Sequence, residues 1–93
     1  MTDSILNQAI LYYEQNRNDE ALVLLNKYII LNNNNLEALI LRARLYQRCQ
    51  AWGNALNDLN HVLEIEPENT MARNLKTMVM NIICYWNKDN FNP

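Results

Sequence analysis

Shifted against itself by 34 residues, the chain matches in register without a gap, and this repeat limits the fold more than any other feature. Ala9 falls on Ala43, Leu11 on Leu45 and Tyr12 on Tyr46. Further along, Ala21 falls on Ala55, Leu22 on Leu56, Leu25 on Leu59 and Asn26 on Asn60. Ile5 meets Leu39, and Ile29 meets Leu63. Small and large side chains recur in the same order. A chain of this kind stacks similar units, because no single unit buries its apolar face alone.

Apolar residues in each unit follow helical spacing. In the first unit Ile5, Ala9 and Tyr12 share one face of a helix, and Ala21, Leu24, Leu25 and Tyr28 share one face of the next. Asn16-Arg17-Asn18 is the polar turn between them. In the second unit Leu39, Ala43 and Tyr46 mark one helix, and Ala55, Leu59, Val62 and Leu63 mark the other. That last helix is expected to stop before Pro67, since the residue preceding a proline disfavours the α region. Asn69 or Thr70 is placed to cap a final helix running to about Trp86 or Lys88. One Gly and two Pro in 93 residues leave helices almost uninterrupted.

The alanines have a packing role. Helices in contact lie about 8–10 Å apart, and close crossings need small side chains. Ala9 and Ala43 stand where a first helix meets its partner, and Ala21 and Ala55 do the same from the second. Tyr12, Tyr46, Leu25 and Leu59 fill the adjoining space.

These residues resemble the tetratricopeptide repeat, with its W-x2-L-G-x2-Y, A-x3-F and P pattern. The second unit matches as Leu39-x2-Arg42-Ala43-x2-Tyr46, then Ala55-x3-Leu59, then Pro67, with Trp52 at a position often aromatic. The first matches as Ile5-x2-Gln8-Ala9-x2-Tyr12 and Ala21-x3-Leu25, with Asn33 in place of the proline. Residues 2 to 69 carry the likeness. The segment from Met71 to Met78 has no clear counterpart of the consensus and looks like the extra helix that closes such arrays. The expected fold is therefore all-α: antiparallel helix-turn-helix repeats stacked as a short right-handed α-solenoid of about five helices. One domain covers 1–93, with repeat 1 at about 2–35, repeat 2 at about 36–69, a capping helix at about 70–88 and a short tail, 89–93.

The resemblance implies a protein–protein interaction module, a scaffold or adaptor that binds a peptide or helix in a groove lined by the first helix of each pair. The matching positions include Leu6, Asn7, Ile10, Tyr13, Glu14, Ile40, Leu41, Arg44, Gln47 and Arg48, with Met71, Leu75 and Met78 added by the last helix. Some members of the family hold a terminal carboxylate with Lys, Asn and Arg at such positions. Here Leu6, Ile10, Leu41, Met71 and Leu75 stand there instead, and an apolar lining cannot offset the desolvation of a carboxylate. An apolar groove edged by Arg44 and Arg48 suggests an apolar peptide or amphipathic helix bearing an acidic residue. The plainer reading is that Leu6 and Leu41 belong to the core, and that Arg44 and Arg48 form a solvated face helped by Glu37.

The last helix offers a second surface. Leu75, Met78, Val79, Ile82, Ile83 and Trp86 form one stripe, while Met80, Cys84 and Tyr85 lie off it. Apolar residues around so much of the circumference exceed what a polar-faced cap needs. The expectation is a contact between chains at Met80, Cys84 and Tyr85, either a homodimer or a partner surface. Ordinary exposed side chains are the simpler alternative.

Chemistry is sparse. Asp58-x-x-His61-x-x-Glu64 offers metal-ligand types on one helix face, but the only histidine has no second His or Cys at supporting spacing. Cys49 and Cys84 lack CxxC spacing and read as small buried or half-buried residues. The single glycine, Gly53, leaves no phosphate-cradling loop. We expect no enzymatic activity and no cofactor or metal. A net charge of −2 with interspersed signs builds no field for nucleic acid or an anionic membrane. The start, Met1-Thr2-Asp3-Ser4, has no signal-peptide pattern, and Met78 to Trp86 is too short to span a bilayer. Together with the cysteine usage, this suggests a cytoplasmic setting.

Overall fold

The computed structural model describes the backbone of residues 4–91 and the side chains of residues 4–85. Among these residues there are five helices and no strand: α1 (Ser4–Glu14), α2 (Asn18–Leu31), α3 (Leu36–Arg48), α4 (Trp52–Ile65) and α5 (Thr70–Phe91). α1 packs on α2 and α3 on α4, the two helical pairs join through α2 and α3, and α5 closes the stack against α4. The expected all-α stack of helical pairs is the architecture of this chain. No helix among the described residues is long and apolar enough to cross a membrane.

The repeat is visible down to single hydrogen bonds. The Arg17 amide donates to the Tyr12 carbonyl at 2.8 Å, and 34 residues on the Ala51 amide donates to the Tyr46 carbonyl at 2.8 Å. Asn16 and Gln50 donate to Tyr13 and Gln47, both at 3.1 Å. Both residues adopt positive φ, 62° and 61°. Together these form a Schellman end on the first helix of each pair, the left-handed residue satisfying carbonyls that the helix leaves open. The N-caps also repeat. Asn35 Oδ1 accepts from the Ala38 amide at 2.9 Å, and Asn69 Oδ1 from the Ala72 amide at 2.8 Å. Of the two candidate caps for α5, Asn69 makes the bond.

The cap at Asn69 places α5 in register as the first helix of a third unit, although its sequence departs from the consensus. Ala38, Leu41 and Leu45 are buried in α3, and Ala72, Leu75 and Val79 are buried at the same repeat positions of α5. The equivalents in α1 are Ser4, Asn7 and Leu11, all exposed. Those positions need a preceding unit, and α1 has none within the described residues. The opposite face of α5 ends the stack. Where α3 buries Leu39 and Ala43, α5 exposes Arg73 and Thr77.

Three details differ from the sequence reading. α5 continues to Phe91, past the expected end near Lys88. Ile5 is exposed although its counterpart Leu39 is buried, because α3 is flanked by α2 and α4 while α1 lies at one edge. Cys49 and Cys84 are free and exposed, not half-buried: Cys49 sits at the C-cap of α3, and Cys84 points off the packed stripe of α5. Within that stripe Leu75 and Val79 are buried, Ile82 and Ile83 half-buried, and Met78 exposed. Trp86 lies outside the described side chains, and residues 2–3 of repeat 1 and 92–93 of the tail lie outside the described residues.

Candidate functional site: an apolar groove across α1, α3 and α5

The first helices of the units, together with α5, form one concave surface. Its main cavity, about 510 Å³, is lined by Ile10, Tyr13 and Glu14 of α1, by Leu36, Glu37, Ile40, Leu41 and Arg44 of α3, and by Asn69 and Met71 at the start of α5. A second cavity of about 410 Å³ shares Arg44 and Met71 and continues along α5 past Thr70, Asn74, Leu75 and Met78. The shared residues make the two cavities one groove. Its floor is aliphatic and aromatic, and its polar groups lie at intervals along the rim.

Most of the residues singled out from the sequence meet here. Ile10, Tyr13 and Ile40 are half-buried in the wall, and Leu41 and Leu75 are buried beneath the floor, each still lining a cavity. Met71 and Met78 are exposed, at 48% and 47%, and stand at the edge. Arg44 Nη2 lies 3.2 Å from the Met71 sulfur, and Gln47 Nε2 lies 3.0 Å from that of Met78, so both thioethers are leaned on from α3. Leu6 is different. It is buried in the core and lines neither cavity, so it is no part of this groove.

Arg48 is also not a groove edge. Its guanidinium stacks on Tyr13, 3.7 Å from the ring centroid, and donates to the Tyr13 carbonyl at 2.8 Å and to Asn18 Oδ1 at 3.1 Å. It ties α3 to the C-terminus of α1 and the start of α2, where a cation also suits the helix dipole. Arg44 alone keeps a place in the groove. Leu36, Glu37 and Asn69 line the groove but were absent from the expected binding set. Leu36 and Glu37 are the first two residues of α3 after the Asn35 cap, and both line the cavity beside Ile10 and Tyr13.

The strongest polar contact lies elsewhere and was not apparent from the sequence. Arg42 and Asp58 form a two-pronged pair between α3 and α4, with Nε to Oδ2 at 2.8 Å and Nη2 to Oδ1 at 2.7 Å. Arg42 Nη1 also donates to Asn26 Oδ1 of α2 at 3.0 Å, so one side chain joins three helices. The hydrogen bond to Asp58 raises the Arg42 pKa above the ordinary arginine range, and burial works against that rise. With Asp58 directed at Arg42, the Asp58-x-x-His61-x-x-Glu64 run does not converge on a metal. His61 Nε2 instead lies 3.1 Å from the Asn33 carbonyl and 3.1 Å from Asn34 Oδ1, holding the turn between α2 and α3. Met80 and Tyr85 are exposed on α5, at 40% and 67%, beside the exposed Cys84.

Comparison with known protein families and with curated proteins finds no match to this chain.

Proposed function

We propose that the chain is a tetratricopeptide-repeat interaction module, non-enzymatic, that holds a peptide or helix of a partner protein in the groove across α1, α3 and α5. The observation that carries this reading is the continuous apolar groove from Ile10 and Tyr13, over Ile40 and Leu41, to Met71 and Met78. A concave apolar surface with a few polar groups at its rim is what an amphipathic segment packs into. The in-register helix ends at Asn16 and Gln50, and caps at Asn35 and Asn69, support the repeat assignment. Free, exposed thiols at Cys49 and Cys84 fit a reducing, cytoplasmic setting.

The second reading is self-association through the C-terminal helix, a homodimer built on Met80, Cys84 and Tyr85. Their exposure together, off the face of α5 that buries Leu75 and Val79, favours it. Affinity capture from the source cell with wild type, Ile10→Glu and Met80→Glu separates the two. Loss of a captured protein with Ile10→Glu alone is the expected result. Loss with Met80→Glu alone moves the function to α5, and retention with both overturns the groove. Sedimentation at micromolar concentration tests the dimer directly: a monomer unchanged by Met80→Glu removes it.

A further inference from the structure

The charges of the groove identify the chemistry of what it holds. Glu14 ends α1 and Glu37 lies in the first turn of α3, and both line the main cavity. Neither carboxylate makes a hydrogen bond or ion pair among the described residues. Among the described residues Arg44 is the one cation lining this cavity, and it rests against the Met71 sulfur, with no ion pair to either carboxylate. The acidic partner suggested by two rim arginines loses half its basis, because Arg48 is committed to Tyr13 and Asn18. What remains is an apolar floor with two open carboxylates and one arginine turned to a thioether.

We propose that the occupant of the groove is an apolar peptide segment carrying a Lys or Arg whose cationic head is met by Glu14 or Glu37. A long basic side chain suits this surface in both its parts. Its methylene stem lies on Ile10, Ile40 and Leu41, while its head stays at the wet rim beside a carboxylate. An acidic side chain in the same place would be repelled by both glutamates and find only Arg44. The inference rests on the groove reading above, and the test separates the failure of one from the failure of the other.

A random phage-displayed dodecapeptide library is selected on the full chain, with Ile10→Gln and Met71→Gln as parallel controls. Met71 is exposed, so its variant keeps the control valid even where Ile10→Gln fails to fold. The expected result is enrichment of peptides with Lys or Arg among apolar residues. A selected peptide then binds Glu14→Gln/Glu37→Gln at least fivefold more weakly, with the preference shrinking as salt rises. Asp19→Asn, an exposed carboxylate outside the groove, stays within twofold. Enrichment of acidic or uncharged peptides, or full affinity for the double variant, overturns the cation and leaves the groove. Enrichment no greater than on both controls overturns the groove itself.

Discussion

At the scale of single residues, the Arg42–Asp58 pair is a polar contact that stability cannot lose from one side alone. Asp58 is only 5% exposed, so removing its partner or itself leaves a charge in a poorly solvated place. Asp58→Ala is expected to cost about 2–4 kcal/mol, at the low end of buried pairs because Arg42 keeps Asn26 and some water. Urea denaturation measures it. Replacing both, as Arg42→Met/Asp58→Leu, is expected to recover more than half of that loss, since no unpaired charge remains. The pair brings no pH dependence from its arginine at neutral pH. A raised pKa stabilises the fold at every pH below the unfolded value and is lost only as pH rises through the folded one, far into the alkaline range. The pair was not legible in the sequence, because the first repeat carries Gln8 and Leu24 at the same positions and the periodicity does not mark it.

At the scale of the element, helix ends do most of the specification. Asn35→Ala and Asn69→Ala each remove a side-chain acceptor from an N-terminal amide, a loss of about 1 kcal/mol. Asn35→Ala should cost more, because Asn35 Nδ2 also donates to the Tyr28 hydroxyl at 3.2 Å. Hydrogen exchange separates the two: Asn69→Ala loosens the first amides of α5, and Asn35→Ala those of α3. Two changes should stabilise. A Cβ added at Gly53 meets nothing within 4 Å, and Gly53→Ala in α4 is expected to add about 0.5–1 kcal/mol. Gln50→Gly relieves a left-handed residue and adds up to about 1 kcal/mol, read as a rise in Tm. The turns themselves were predictable from polar residues between apolar runs. That Asn16 and Gln50, rather than a glycine, hold the left-handed position was not.

At the scale of the whole molecule, the same repeat position carries different weight in each unit. Leu45 is fully buried, while Leu11, its counterpart, is 49% exposed at the edge of the stack. Leu45→Ala is expected to cost about 2–5 kcal/mol, and Leu11→Ala less than about 0.5 kcal/mol. Thermal melting of the two variants checks the contrast, since about 1 kcal/mol moves Tm by roughly 4–8 °C in a domain of this size. The reason is the one-dimensional stack: each helix draws its burial from its neighbours, and α1 has them on one side only.

The spacing of apolar residues by itself determined the repeat, the class of fold and the order of the helices, while polar residues and Pro67 marked the turn after α1, the end of α4 and the start of α5. The resemblance to a known repeat, rather than the spacing, singled out Ile10, Tyr13, Ile40, Arg44, Met71 and Met78, and the structure places them along one groove. Only the tertiary structure decided which apolar residues line the groove and which fill the core, sending Leu6 inward while Ile10 stays at the wall. It also set Arg48 against Tyr13, Asp58 against Arg42, and α5 in register as a third first helix. Helical periodicity reports which side chains share a face. Which face meets a neighbour, and which charges that neighbour supplies, depends on how the helices tilt and stack.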